Sequence, residues 1–495
     1  MIEQKTAVVI GAGIAGLSTA AFLAKSGWSV TVIEKNEAAG GRARKFSAEG
    51  FTFDMGPSWY WMPEVFENFF STFGKSVADF YSLIRLDPSY RVYWDHSHSD
   101  FPSDYDGLRT VFEHIEPGSG AKLDKYLAEA ETKYDIGMRR LVYTPALSVT
   151  EFLNWPLLRN IFKLDVFSSI KKHIAKSFSS PRIRQVLEFP VLFLGALPKN
   201  TPALYSLMNY ADIKGGTWYP SGGMYRIVEA MQQLCEELGV KFIFDTPVQK
   251  ILVKGDTATA VVADDKILTA DVVISAADYH FTEMNLLESK FRTYSESYWN
   301  KRILAPSCLV YYIGLNRKLP GLLHHSLFFD VPFEKHADEI YSDPKWPSEP
   351  LFYMCVPSTT DASVAPEGCE NLFLLIPVAS GLKGDDQALR EFYLDKILDR
   401  IQERTAQDIR PNIIFKRSYA TSNFVSDYNS YKGNAYGLAN TLMQTAILKP
   451  SCRSRKVKNL FYAGQFTVPG PGVPPAIISG EVVAKLVNKI FISKV

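Results

Sequence analysis

Cysteine is scarce in this chain, and its few cysteines are scattered. The 495 residues include Cys235, Cys308, Cys355, Cys369 and Cys452, with no Cys-x-x-Cys pair among them. An odd number of widely spaced cysteines argues against a disulfide framework, and the missing paired spacing argues against a zinc ribbon. We therefore expect the protein to work in a reducing cytoplasm.

Long apolar runs are also lacking. No stretch approaches the roughly 18 apolar residues of a membrane-spanning helix, and the strongest run, residues 189–198, is interrupted by Pro190. The first residues include Glu3 and lack the basic start and cleavage site of a secretion signal. We expect a chain that does not span a bilayer, although attachment to one face of a bilayer stays open.

Net charge is almost absent. The chain has 54 Lys plus Arg against 53 Asp plus Glu, a balance of +1, so no overall field would hold a nucleic acid. Hydrophobic residues make up 46% and charged residues 22%, near the roughly 45–50% and 25% of globular proteins. At about 150 residues per domain, the length predicts two or three packed units with a large core.

The chain opens with a pattern typical of a nucleotide-binding βαβ unit. The runs 6–10 and 29–33 are apolar and β-branched, as in buried parallel strands. Between them lie Gly11-Ala-Gly13-Ile-Ala-Gly16 and an Ala- and Leu-rich helical stretch. In this context Gly11 would make the tight turn, Gly13 would admit a diphosphate, and Gly16 would let helix and strand pack closely.

Glu34 ends the second predicted strand. It stands 18 residues after Gly16, where a carboxylate can accept hydrogen bonds from a ribose diol and repel a 2′-phosphate. The alternative, a structural turn followed by a surface glutamate, is disfavoured by the strand before the glycines and the helix after them.

Two further turns carry a family resemblance. Gly-Gly-Arg-Ala at 40–43 and Asp-Met-Gly-Pro at 54–57 follow the βαβ unit at short intervals. The combination resembles the amine-oxidase-like flavoproteins, in which the arginine-bearing glycine pair continues the diphosphate site and the Asp-x-Gly-Pro turn lies near the flavin. Either turn alone would be an ordinary loop.

The most specific segment lies near the carboxyl end, at residues 459–480. It resembles the signature of bacterial-type phytoene desaturases, and it predicts a strand, a glycine loop and a helix whose first turn tolerates Pro475. The positive end of that helix would face the flavin and favour the negative charge gained with a hydride. The family usually has Gly-Ala-Gly or Gly-Asp where this chain has Gly464-Gln465, which leaves the side-chain contact there open.

Shorter matches to the same family extend over nearly the whole chain, at 218–224, 274–278, 324–325 and 427–437. Together with residues 53–62, they resemble most closely the phytoene desaturases of flavobacterial kind. That resemblance implies an FAD enzyme that converts phytoene, a long apolar carotenoid, stepwise towards lycopene by hydride transfer to flavin. Dioxygen or a quinone would be the electron acceptor.

The resemblance also implies the cofactor site, with Val248 contacting the adenine side through its backbone. The residues expected to bind FAD are Gly11, Gly13, Ile14, Ala15, Gly16, Glu34, Lys35, Gly41, Arg42, Gly56, Pro57, Ser58, Val248, Gly464, Gln465, Gly472, Val473 and Pro474. No proton acceptor is identified. The pairs His96/His98 and His324/His325 have no carboxylate or cysteine at a ligand spacing, so we predict no metal site there.

A basic segment rich in aromatic residues spans residues 151–184. It has seven Lys or Arg against Glu151 and Asp165, interleaved with apolar side chains. Those apolar side chains could enter lipid while the basic ones meet anionic headgroups, or the segment could be a solvated helix packed on the core. A hydrocarbon substrate favours the first interpretation, and with it peripheral attachment to the inner face of the cell membrane.

We predict an α/β fold with a Rossmann-type FAD-binding domain and an α+β substrate domain. The FAD-binding domain would be discontinuous, over 1–85, 215–290 and 435–495. The substrate domain would cover 291–434, and a mainly helical subdomain at 86–214 would contact substrate or membrane.

Other functions remain open at this stage. A hydroxycarotenoid 3,4-desaturase or a carotenoid isomerase would share the family motifs, and an amine oxidase would share only the first ones. A lipid escort protein related to the Rab GDP dissociation inhibitors would have the glycine fold without catalysis. The carboxyl-terminal signature argues against amines, and the retained flavin-facing loops argue for an enzyme.

Overall fold

The computed structural model describes residues 4–152, 165, 168–192 and 195–492. Its helices of seven or more residues are α1 (Ile14–Lys25), α2 (Pro63–Ser71), α3 (Tyr105–Ile115), α4 (Ser119–Ile136), α5 (Ile170–Ser177), α6 (Pro181–Leu192), α7 (Leu207–Ile213), α8 (Arg226–Glu237), α9 (Phe333–Tyr341), α10 (Gln387–Thr405), α11 (Thr421–Tyr428) and α12 (Val473–Phe491). Its strands are β1 (Thr6–Ile10), β2 (Ser29–Ile33), β3 (Lys45–Ala48), β4 (Phe51–Asp54), β5 (Leu83–Arg85), β6 (Tyr90–Tyr93), β7 (His98–Phe101), β8 (Trp218–Pro220), β9 (Lys241–Ile243), β10 (Val248–Lys254), β11 (Thr257–Ala263), β12 (Lys266–Thr269), β13 (Val272–Ser275), β14 (Ser307–Leu315), β15 (His325–Phe328), β16 (Phe352–Cys355), β17 (Glu370–Val378), β18 (Ile413–Tyr419) and β19 (Leu460–Tyr462).

A five-stranded parallel sheet holds both ends of the chain together. Its order is β19-β13-β1-β2-β9, and every neighbouring pair in it is parallel. The strands β1 and β2 lie at the predicted residues because their apolar, β-branched runs suit burial on both faces. Helix α1 packs against α8 and α12 over this sheet. The predicted α/β fold with a parallel sheet is confirmed.

A seven-stranded sheet forms the second layer of the molecule. Its order is β18-β14-β17-β16-β15-β6-β7, and only the β15–β6 pair is parallel. The long strands β14 and β17 are buried on both faces, so they show no polar alternation. The sequence predicts no sheet in this region, because an apolar run without alternation does not distinguish a buried strand from a buried helix.

The predicted mainly helical region at 86–214 has helices α3 to α7 together with β6 and β7, which join the edge of the seven-stranded sheet. One expectation for the basic segment at 151–184 is wrong. Ile170, Ile174 and Phe178, three of the apolar side chains expected to enter lipid, are buried against the core. Residues 153–164 and 166–167, which include most of the other expected lipid contacts, lie outside the described residues.

Candidate active site

One cavity of about 630 Å³ joins the two sheets. The cavity begins at the ends of the parallel strands of the five-stranded sheet and continues along one face of the seven-stranded sheet. The predicted cofactor residues that line it are Gly11, Gly13, Ile14, Ala15, Glu34, Lys35, Gly41, Arg42, Gly56, Pro57, Ser58, Val248, Gly464, Gln465, Gly472, Val473 and Pro474. Residues from both chain ends and from the middle therefore surround one space, and only Gly16 of the predicted set is not part of its wall.

The three glycines after β1 have different surroundings. Gly11 adopts φ +100°, which side chains rarely allow. A Cβ on Gly16 would lie 2.0 Å from the Gly11 carbonyl oxygen, so Gly16 is needed for packing of helix against strand. A Cβ on Gly13 would meet no atom within 4 Å. Gly13 is the N-cap residue of α1, and no side chain there accepts a hydrogen bond from the first helix amides. The amino end of α1 is thus open to an anion in the cavity.

Glu34 is buried at the cavity wall and supports the glycine turn. Its Oε2 accepts a hydrogen bond from the Ala12 amide at 2.8 Å, and its Oε1 accepts from the Asn36 amide at 3.0 Å and from Asn36 Nδ2 at 2.8 Å. A carboxylate has about four acceptor sites, so one remains for another donor. The hydrogen bond from Ala12, which joins the end of β2 to the glycine turn, is not predicted from the sequence.

Arg42 places a half-buried cation in the same wall. Its Nη2 donates to Ser430 Oγ at 3.1 Å and to the Asn434 carbonyl at 3.3 Å, while Nε has no partner in the described structure. Burial lowers the pKa of the guanidinium, and the Asp278 carboxylate opposes that shift. A half-buried cation with a buried, unused Nε donor, beside an uncapped helix end, fits a diphosphate. These residues therefore fit a dinucleotide.

The Asp-x-Gly-Pro turn is tied to a second turn far along the chain. Asp54 accepts hydrogen bonds from the amides of Met224 at 2.7 Å and Tyr225 at 2.9 Å. Burial raises the pKa of this carboxyl to about 6. A Cβ on Gly56 would lie 2.1 Å from the Arg42 carbonyl oxygen, so the two predicted turns pack directly on each other.

The carboxyl-terminal loop delivers the amino end of α12 to the cavity. Gly464 and Gly472 both adopt φ +114°, and the Ala476 amide donates to the Gly472 carbonyl at 3.0 Å. The predicted place of Pro475 in the first turn of the helix is confirmed. The contact left open for Gln465 is with Asn434, whose Oδ1 accepts from Gln465 Nε2 at 3.3 Å.

The other end of the cavity is mainly apolar, and His336 and Tyr341 are among the polar side chains in its wall. Its apolar lining includes Trp59, Trp61, Phe189, Met208, Leu327, Phe329, Phe333, Ile340, Leu351, Phe352, Phe373 and Leu375. His336 is fully bonded, with Nε2 2.8 Å from the Pro377 carbonyl and Nδ1 accepting from the Leu351 amide at 3.0 Å. The Tyr341 hydroxyl, in contrast, has no partner in the described structure. This end of the cavity leaves no motif in the sequence, because its residues come from separate strands and helices.

The family follows from this architecture and from known proteins. A model of the family described as "Flavin containing amine oxidoreductase" matches residues 14–488. A carotenoid 3,4-desaturase of Haloarcula japonica is 40% identical over 97% of both chains. A zeta-carotene-forming phytoene desaturase of Myxococcus xanthus is 32% identical over 98% of this chain and 94% of its own. An oxidoreductase structure from Methanosarcina mazei, 18% identical, covers 97% of this chain and 100% of its own with a TM-score of 0.63. The chain therefore belongs to the flavin-containing amine oxidoreductases, as an FAD-dependent oxidoreductase of the carotenoid desaturase family.

Proposed function

We propose that this protein dehydrogenates an acyclic carotenoid, and that the reaction is 3,4-desaturation of a chain with an oxygenated end. The observation that carries the proposal is one continuous cavity. It connects the turns that fit a dinucleotide, together called the cradle, to an apolar wall. A hydrocarbon chain on that wall would lie next to the flavin-facing turns. FAD, when bound, supplies hydride acceptance, and dioxygen or a quinone is the proposed final electron acceptor.

The protein's own part is binding, orientation and exclusion of water. The mainly apolar wall buries a polyene, which suits a substrate that has almost no polar atoms. The amino end of α12 favours negative charge at the cradle end of the cavity. His336 uses both ring nitrogens within the fold, so it supports the wall and does not serve as the proton acceptor.

Tyr341 favours an oxygenated carotenoid end. Its hydroxyl is buried and unpartnered among the described residues, although the residue lines the cavity. An unpaired buried hydroxyl costs about 1–3 kcal/mol, and a substrate hydroxyl or ether oxygen would pair with it. The 40% identity to a carotenoid 3,4-desaturase supports the same reaction. The second candidate is stepwise conversion of phytoene towards lycopene, supported by the otherwise apolar lining and by the Myxococcus relative.

The test is a comparison of substrates with flavin-loaded protein. Phytoene, lycopene and a 1-hydroxylated acyclic carotenoid are supplied in matched vesicles, and products are separated by chromatography with absorption spectra. We expect the hydroxylated chain to gain one conjugated double bond fastest. Fast conversion of phytoene with no turnover of the hydroxylated chain would replace this reaction by the second candidate.

We also propose peripheral attachment to a membrane, through a patch distinct from residues 151–184. No described helix is both long and apolar enough to cross a bilayer. Exposed apolar side chains gather instead at Ile303, Leu442, Met443, Ile447 and Leu448. The Ile303 amide and carbonyl bond to the Gln444 side chain, so these segments adjoin. An apolar patch of this kind can enter the lipid interface.

Cosedimentation with vesicles containing anionic lipid tests the patch. Met443→Glu is expected to reduce vesicle binding about 10–150-fold, because burying such a side chain in lipid stabilises binding by about 1.5–3 kcal/mol. Ile267→Glu is the matched control, since Ile267 is equally apolar and exposed but lies in β12. Equal loss of binding in both variants, or in neither, would contradict this membrane surface.

A further inference from the structure

A cluster of metal-ligand residues lies behind the cavity wall, on the seven-stranded sheet. Strands β15 and β16 pair antiparallel with His325 opposite Cys355, and His324 immediately precedes β15. A ring nitrogen of each histidine and the Cys355 sulfur all lie within 4.8 Å of one another, and all three residues are buried. The prediction of no metal site rests on the absence of a carboxylate or cysteine near the histidines in the sequence. Strand pairing, however, brings Cys355 next to them.

Each imidazole is held at one nitrogen and lacks a partner at the other. His324 Nδ1 lies 2.8 Å from Thr360 Oγ1, and His325 Nδ1 lies 2.6 Å from the Tyr353 hydroxyl oxygen. Neither Nε2 has a hydrogen-bond partner in the described structure. Since an unpaired buried polar atom costs about 1–3 kcal/mol, two in one cluster indicate an occupant that the chain's own atoms do not supply.

An imidazole with one ring nitrogen hydrogen-bonded and the other without a protein partner is typical of histidines that bind metal ions. A ligating imidazole donates its second N–H to a fixed acceptor, which sets the tautomer and the ring orientation. If each Nδ1 donates to its hydroxyl, each Nε2 keeps a lone pair for an ion. A cavity of about 20 Å³ lined by His324 and Cys355 lies beside the cluster, and about 10–15 Å³ suffices for one water-sized particle.

We propose that His324, His325 and Cys355 bind one thiophilic cation, zinc(II) or copper(I). Two imidazoles and one thiolate are the nitrogen and sulfur donors that these ions prefer, whereas calcium and magnesium prefer oxygen. On binding, the Cys355 S–H bond breaks, its proton passes to solvent, and the sulfur electron pair forms the bond to the metal. No electron transfer is needed.

The position of the cluster indicates what the ion would do. The Tyr353 hydroxyl, which contacts His325, also lies 3.0 Å from Ser58 Oγ. The His325 ring stacks on Trp59 with centroids 4.0 Å apart. Ser58, Trp59 and Tyr353 all line the large cavity. An ion at the cluster would therefore fix the part of the cavity wall that follows the Asp-x-Gly-Pro turn, as a positioning element.

Metal analysis of the flavin-loaded protein tests the proposal. Tag-free protein is loaded with zinc, or with copper under anaerobic reducing conditions, dialysed against a weak chelator, and measured by plasma mass spectrometry. We expect one ion per chain, and loss of most of it in Cys355→Ser and in His324→Gln. The controls Cys235→Ser and His336→Gln should keep the ion, because these buried residues lie outside the cluster and already have hydrogen-bond partners.

X-ray absorption on the wild-type protein keeps the test independent of how the variants fold. In the zinc-loaded protein, the zinc edge should show two nitrogens at about 2.0–2.1 Å and one sulfur at about 2.3 Å. Thr360→Val should weaken metal affinity about 10–100-fold, because it removes the acceptor that fixes His324. Absence of metal after both loadings, or a metal content unchanged in Cys355→Ser and His324→Gln, would overturn the proposal.

Discussion

The two ends of the cavity are built in different ways. The cradle end is made of backbone turns within short segments, such as the glycine turn after β1 and the Gly464–Gly472 loop. The substrate end is made of side chains from α9, β15, β16 and β17, which are far apart in sequence. Turns leave a local motif, whereas a wall assembled by sheet pairing leaves none. Cofactor chemistry is therefore easier to predict here than substrate choice.

Gly16→Val breaks the cradle end by steric overlap and should have the largest effect. The new Cβ would lie 2.0 Å from the Gly11 carbonyl oxygen, where neither backbone can move freely. We expect a loss of unfolding free energy above the roughly 1–3 kcal/mol of ordinary overpacking. Denaturant unfolding monitored by circular dichroism measures the loss. Wild-type stability in this variant would contradict the packing role of Gly16.

Gly13→Leu separates binding from folding at the same turn. Gly13 has φ −71° and open space where a Cβ would stand, so the fold should tolerate the side chain. The leucine would occupy the approach of the diphosphate, and we expect FAD affinity to fall about 1,000-fold, or about 4 kcal/mol. Flavin titration checks the affinity. A folded Gly13→Leu protein that purifies yellow and active would contradict the assignment of the phosphate site.

Lys449→Met tests a buried charge beside the carboxyl-terminal loop. Lys449 has no partner for Nζ in the described structure, and a Cβ on Gly470 would lie 3.4 Å from that nitrogen. Burial lowers the pKa of this lysine to about 7 from its ordinary value of 10.5. Between these two pKa values the unfolded chain therefore binds more protons than the folded chain. The buried lysine lowers the free energy of unfolding by its full amount below pH 7, and this destabilisation disappears as the pH rises to about 10.5.

The expected result is stabilisation that depends on pH. Lys449→Met should raise the unfolding free energy by a few kcal/mol at pH 7 and by almost nothing near pH 10.5. Thermal unfolding at both pH values measures the difference, with the exposed Lys456→Met as control. If the gain in unfolding free energy on Lys449→Met grew with pH, Lys449 would be paired and charged in the folded protein.

Tyr341→Phe tests the substrate end with the smallest expected effect. Removing one hydrogen bond to an oxygenated carotenoid should cost about 0.5–1.5 kcal/mol, or about 2–12-fold in kcat/KM. The conversion of phytoene should not change, because phytoene has no oxygen. Parallel assays of the two substrates check this. An equal loss on both would assign Tyr341 a packing role.

The features that the sequence does and does not predict differ in the same way as the two ends of the cavity. The strands β1, β2 and β13, the helix after the final glycine loop and the common cavity of the cradle residues agree with local patterns. The strands β14 and β17 were missed because burial on both faces removes alternation. Tyr341 and the pairing of His325 with Cys355 were missed because only the tertiary fold brings them to their neighbours.

The most direct measurement is anaerobic rapid mixing of flavin-loaded protein with an acyclic carotenoid, while flavin and polyene absorption are recorded together. If one cavity joins the cradle to the apolar wall, each new double bond should appear at the rate of flavin bleaching, with one flavin reduced per bond. Bleaching by amines but not by carotenoid, or a new double bond without bleaching, would contradict the account.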